Sequence, residues 1–241
     1  MKLPKPMVPG RLVRRYKRFL ADVILEDTGE QVTASTPNTG SMMGLLDAGN
    51  RVWLSVSDDP RRKYRYRWEL VEVAGPAGHA LVGLNTSLPN ALAAEAIKAG
   101  IVPSIPADGE IRCEVRYGEE NSRIDLLVQP KEAPPIYIEV KNVTLSRRPG
   151  LAEFPDAVTA RGAKHLRELE RIARAGKARA MMIYMVQRTD AEACALAADI
   201  DPAYMEAWKR ATAAGMETVC LACCIDPGQI VANRVIPLEH S

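Results

Sequence analysis

The chain has 241 residues, of which 47% are hydrophobic and 26% charged, with a formal net charge of +2. That length suits one large domain or two small ones, and the composition excludes wholesale disorder. No run approaches the roughly 18 consecutive apolar residues of a membrane span, and MKLPKPMVPG lacks the apolar stretch of a signal peptide, so the expected location is cytoplasmic, away from any membrane.

The charge is unevenly spread. Residues 1–80 hold 13 Lys+Arg against 9 Asp+Glu, and the remainder holds 19 against 21. The N-terminal excess lies in two clusters, Arg11–Arg18 and Arg61–Arg67. Along residues 11–85, RFLADVIL, QVTAST, RVWLSVS, WELVEVA and GHALVGLN read as short strands. They are separated by EDTGE, PNTGSMMG, DDPRRKYRYR and a Gly/Pro turn. About five short strands without a helix predict an OB-fold-like β-barrel over residues 1–86.

From Leu88 the pattern changes. LPNALAAEAIKAG is a helix stopped by Gly100, and IVPSIPADG is a connector. Strands follow at IRCEVRY, RIDLLVQ and IYIEVKNV. FPDAVTARGAKHLRELERIARAGK is a long amphipathic helix, with Asp156 placed to cap it and Gly176 to end it. ARAMMIYMV is apolar enough for a sheet interior, and DPAYMEAWKRATAAG, ETVCLACCI and IVANRVIPL add a helix and two strands. This order predicts an α/β (α+β) domain over 87–241 with one central mixed sheet.

The chemistry concentrates in the second and third of those strands. Side chains alternate faces along a strand. If the strands form a hairpin centred on Glu132, Asp125 faces Glu139 and Arg123 faces Lys141. Ile124, Leu126 and Val128 then meet Val140, Ile138 and Ile136 on an apolar face, and a one-residue slip would bury charge. Two facing carboxylates repel at a Cβ separation of about 5 Å. A hard divalent cation, Mg²⁺ or Mn²⁺, relieves that repulsion with oxygen ligands and keeps waters for a substrate phosphate. Lys141, on the same face, can orient or deprotonate an attacking water, or stabilise charge on the phosphate in the transition state. Glu114 joins as a candidate ligand, and Glu95 as an outer one. The same four strand charges also fit a cross-strand salt-bridge lattice without metal.

The basic clusters mix cations with aromatics, a pattern that neutralises phosphates and stacks on bases. The candidate nucleic-acid contacts are Arg14, Arg15, Lys17, Arg18, Arg61, Arg62, Lys63, Arg65 and Arg67. Tyr64, Tyr66 and Trp68 lie on one face of an extended strand, as stacking platforms or as core. His165 on the long helix either faces the site or has a surface or capping role. Cys220, Cys223 and Cys224 have no flanking histidines and read as a buried strand.

The runs KRFLADV, PNTGSM, KYRYRWEL, SRIDLL, YIEVKNVTL and FPDAVTARGAKHLREL resemble the bacterial and archaeal sugar fermentation stimulation protein A family over nearly the whole chain. The resemblance implies an OB-fold-like N-terminal domain and a C-terminal domain of the PD-(D/E)xK nuclease-like fold. It also implies DNA binding, with RNA as an alternative partner, and a role in regulating sugar (maltose) utilisation. The nuclease motif maps onto Asp125, Glu139 and Lys141, with Ile124 where the motif has proline. The expected function is therefore DNA binding with a nuclease-like Mg²⁺ or Mn²⁺ site, active as a phosphodiesterase or retained in a non-enzymatic regulator. Oligomeric state is left open.

Overall fold

The computed structural model describes residues 1–75, 78–118 and 122–239, so part of the expected Gly/Pro turn, Pro76 and Ala77, lies outside the described residues. The chain begins with β1 (Met7–Tyr16), β2 (Leu20–Leu25), β3 (Gln31–Ser35), β4 (Arg51–Val56), β5 (Tyr66–Gly75) and β6 (Gly78–Gly83). All but β1 follow the alternation legible in the sequence. Prolines at 6 and 9 obscure β1, yet Pro9 pairs with Trp53 of β4. Where β1 crosses β2, a Cβ on Gly10 would collide with the Val23 side chain and the Ile24 backbone, so only glycine fits. Inward residues such as Leu12, Val23, Ala34, Leu54, Trp68 and Val82 build one core.

The barrel expectation is corrected here. The strands run in the order β3-β2-β1-β4-β5-β6 and curl into a ring that does not close into a barrel. Its seam consists of two parallel pairs, Ala34↔Tyr66 and Ser35↔Arg67. The physical reason is length: β3 has five residues and β5 has ten, so β3 cannot pair along it. The far part of β5 takes β6 instead.

The rest of the chain forms α1 (Pro89–Lys98), β7 (Glu110–Tyr117), β8 (Ser122–Gln129), β9 (Ile136–Val143), β10 (Leu145–Arg148) and β11 (Leu151–Phe154). It continues with α2 (Ala160–Ala175), β12 (Arg179–Val186), β13 (Ala193–Leu196), α3 (Pro202–Ala213), β14 (Glu217–Asp226), β15 (Gln229–Ile236) and β16 (Leu238–Glu239). The expectation of one central sheet is also corrected. There are two open sheets, β15-β14-β12-β9-β8-β7 and β10-β11-β13-β16, both of mixed topology. The apolar β12 lies between parallel neighbours β9 and β14, as a strand buried on both faces should. α1 covers one face of the larger sheet, packed with Leu126, Ile138 and Ile183. Residues of α2 and α3 cover the other, packed with Leu127, Met182 and Tyr184. The cysteines of β14 form no disulfide, and Cys220 and Cys223 are buried.

α2 begins later than its sequence pattern suggests. Thr159 is its N-cap, accepting a hydrogen bond from the Gly162 N–H at 3.0 Å. Asp156, the expected cap, instead accepts from the Met42 N–H at 3.0 Å. Gly176 ends the helix at φ +66°, as expected. Thr86 Oγ1 also donates to the Pro37 carbonyl (2.8 Å), and the Leu81 N–H donates to Thr189 Oγ1 (3.0 Å). These bonds hold the N-terminal ring against the larger sheet beside a cleft. Among the described residues no helix is long and apolar enough to cross a membrane.

Candidate metal centre

β8 and β9 pair as Leu126↔Ile138, Leu127↔Tyr137 and Val128↔Ile136, the register expected from their apolar faces. The ladder stops one pair before Asp125 and Glu139. There the Val140 N–H, which would continue it, donates to Asp125 Oδ2 at 2.8 Å. A side-chain carboxylate thus replaces a backbone partner, and the strands part around it. On the other side, β7 and β8 pair as Cys113↔Leu126 and Val115↔Ile124. Between them Glu114 takes φ +53°, a conformation that L side chains rarely adopt. The kink changes the facing of the strand end. Ile124 packs with Leu127 and the α2 side, not with Leu126 and Val128 as alternation predicts. Arg123 and Lys141 accordingly do not pair.

The opening left by the kink is a cleft of about 420 Å³ lined by Ser87, Asn90, Glu114, Asp125, Glu139, Lys141, Arg161 and His165, among others. Asp125 Oδ1 accepts from Asn90 Nδ2 at 3.0 Å, so the start of α1 fixes the carboxylate. Glu139 is 2% exposed. Its Oε1 accepts from Lys141 Nζ at 2.7 Å and from His165 Nδ1 of α2. His165 Nε2 lies 3.4 Å from Arg161 Nε, so the tautomer protonated on Nδ1 satisfies both contacts. Glu139 Oε2 is buried and has no hydrogen-bond partner among the described residues.

The two carboxylates are driven apart in proton affinity. Burial, then the Glu139 charge, pushes Asp125 up to about 6 against the help of its two hydrogen bonds. Burial works on Glu139 in the same sense, but the Lys141 charge and the His165 hydrogen bond outweigh it and hold Glu139 below the usual carboxylate range. An orphaned buried carboxylate oxygen beside a carboxylate that resists ionisation is an unmet demand for positive charge. A divalent cation fits that demand. Among the described residues no group of three or more His, Cys, Asp or Glu side chains is gathered to hold a metal. A cation here would rest on few protein oxygens and retain water.

The other sequence candidates are dispersed. Glu114 lines the cleft, whereas Glu95 bonds the amino group of Met1 at 3.0 Å. Most N-terminal cations already have partners. Arg14 pairs with Asp22 at 2.9 Å, Arg61 with Asp59 at 3.0 Å and Arg67 with buried Glu69 at 3.4 Å. Arg65 lies 3.7 Å from Asp58 and stacks over Tyr66, and Lys63 lies over Tyr64. Arg15 donates to the carbonyls of Arg18, Asn38, Gly40 and Ser41, which makes it a clamp on the PNTGS loop. Lys17 and Arg18 form the left-handed turn between β1 and β2, and Arg62 is exposed in the β4–β5 loop. Trp68 is core. Sequence reasoning missed Asn90 and Arg161. Only the Pro-Asn start of α1 and the four-residue spacing of Arg161 and His165 signal them.

Residues 87–229 match the family profile described as "Sugar fermentation stimulation protein RE domain", and residues 13–83 match "SfsA N-terminal OB domain". The chain is 53% identical over 239 residues to a sugar fermentation stimulation protein homolog of Chelativorans, covering 99% of this chain and 100% of the relative. It is 51% identical over 239 residues to a homolog from Dinoroseobacter shibae, covering 99% and 96%. A solved structure of Pyrococcus furiosus SfsA in complex with Ca²⁺ superposes with a TM-score of 0.84 at 25% identity, covering 100% of this chain and 98% of that one.

Proposed function

This chain belongs to the sugar fermentation stimulation protein family, and we propose that it is a nucleic-acid-binding protein whose cleft hydrolyses phosphodiesters with Mg²⁺ or Mn²⁺. The observation that carries this reading is the buried, unpartnered Glu139 Oε2 in one cleft with Asp125. The Ca²⁺ complex of the Pyrococcus furiosus relative supports divalent-cation association in general. We place nucleic-acid contact partly on residues 1–86 and the chemistry on 87–241.

Asp125 and Glu139 would hold the cation, with Glu114 at the rim. When bound, the cation supplies positive charge to a phosphoryl oxygen and acidifies a water. Asn90 and the Val140 N–H hold both Asp125 oxygens in place, so the carboxylate is oriented in advance. Lys141, which donates to Glu139 at 2.7 Å, is suited to stabilise developing negative charge. His165 positions Glu139 from the helix side. Of the N-terminal cations, Arg62 and Lys63 are exposed without a bonded acid among the described residues, and they suit a phosphate backbone.

A second reading is a DNA-binding regulator of sugar utilisation that keeps the site without cutting. The pairing of Glu139 with Lys141 favours it. The test is incubation of single- and double-stranded DNA and RNA with Mg²⁺ or Mn²⁺, using wild type, Asp125→Ala, Glu139→Ala and Lys141→Ala. The first reading expects metal-dependent cleavage by wild type and a loss of at least ~100-fold in each variant. No cleavage by wild type overturns it, and salt-sensitive DNA binding without cleavage establishes the second.

A further inference from the structure

We propose that Arg116, Arg123 and Arg161 form a phosphate-binding subsite that holds the nucleic-acid backbone beside the reacting phosphodiester; this rests on the nucleic-acid reading above. The hollow lies between the β7–β8 pair and α2, and these arginines line it with Ser122, Lys164, His165 and Glu114. It shares Glu114, Arg161 and His165 with the carboxylate cleft, so the two are contiguous.

Arg116 and Arg123 are directly paired across β7 and β8. Like charges opposite each other destabilise a strand pair. Both are exposed, and neither has an ion-pair or hydrogen-bond partner among the described residues. Arg161 rests its Nε against His165 Nε2 at 3.4 Å, which leaves its two terminal nitrogens for another acceptor. Ser122 is 5% exposed, and its hydroxyl has no hydrogen-bond partner among the described residues. Lys164 is engaged in contacts of its own and adds charge without being needed. Glu114, at the shared edge, is the one carboxylate among the described residues that line the hollow.

An anion with several acceptor oxygens meets these conditions together. It relieves the Arg116–Arg123 repulsion, takes bidentate guanidinium donors and accepts from the Ser122 hydroxyl. The contrast with the N-terminal clusters is instructive. Several of those cations are matched by Asp22, Asp59 or Glu69, whereas these arginines have no ion-pair partner among the described residues and lie beside the carboxylates. A phosphate held here would set its neighbour along the strand over Asp125 and Glu139.

The test uses the full chain and the variant Arg116→Gln/Arg123→Gln, with Lys177→Gln/Lys209→Gln as a control of equal charge change. Binding of labelled duplex DNA is followed in EDTA across a salt series, with inorganic pyrophosphate as a separate ligand, and cleavage is followed in Mg²⁺. Thermal melting confirms that the exposed substitutions leave the fold intact. The subsite predicts about tenfold weaker DNA binding and a salt slope shallower by about 0.9, for the one phosphate no longer held. It also predicts a raised KM with kcat within about twofold, and no effect in the control. Wild-type slope and KM in the Arg116/Arg123 variant would overturn the subsite while leaving the catalytic reading intact. Tight pyrophosphate binding without DNA binding would overturn the backbone assignment. Wild type that neither binds nor cuts nucleic acid would overturn both.

Discussion

Asp125 resists ionisation because burial and the Glu139 charge act together on it. In the cation-free protein its folded pKa of about 6 lies above the ordinary 3.8, so it contributes stability that is fully present below pH 3.8 and lost as pH rises through about 6. Melting in EDTA should therefore show a Tm that falls between about pH 4 and pH 6, and Asp125→Asn should lose that increment. An identical pH profile in the variant would remove Asp125 as its source. Glu114 is the other residue under tension. Its left-handed backbone costs about 1 kcal/mol, and asparagine tolerates that conformation better. Glu114→Asn should raise Tm by roughly 2–4 °C while weakening cation binding, and a lowered Tm with unchanged binding would contradict both. That Asp125, Glu139 and Lys141 would share one cleft was legible from the apolar register of β8 and β9, although the β8 end does not keep the alternation. His165 against Glu139 and Asn90 against Asp125 were not, because those contacts depend on how two distant helices dock.

α2 brings His165 and Arg161 to the cleft, and its entry is fixed by two nested caps. Thr159 caps α2, while Asp201 caps α3 through the Tyr204 N–H at 3.0 Å and also accepts from the Thr159 N–H at 2.7 Å. Thr159→Ala should cost about 1 kcal/mol. Asp201→Ala should cost roughly twice that, because Asp201 is buried and two N–H groups lose their acceptor. Denaturant melts would check this, and equal costs would show that the second contact contributes nothing. The long elements were legible from periodicity, including the apolar β12 and the Gly176 stop. β1 was hidden by its prolines. β10, β11 and β13 have four residues each, too few for alternation to register. The true start of α2 was hidden because Asp156, a good capping residue, is used by Met42 of the N-terminal ring.

At the scale of the whole molecule, the ring and the larger sheet are joined by side-chain bonds at Asp156, Thr86, Gln187 and Thr189. Leu70 of β5 belongs to the same apolar cluster as Leu92 of α1, so apolar packing also crosses the join. Thermal unfolding should therefore be one transition, and two resolved transitions would mean that the halves are energetically separate. The unclosed ring and the second sheet were not legible because pairing between distant strands is set by their lengths and packing, not by local pattern. Isothermal titration of Mn²⁺ into the full chain near pH 7.5 should show one saturable site in wild type. Its affinity should fall at least ~10-fold in Glu139→Gln and in Asp125→Asn. Equal affinity in all three proteins, or no binding by wild type, would contradict the assignment of Asp125 and Glu139 as the metal centre.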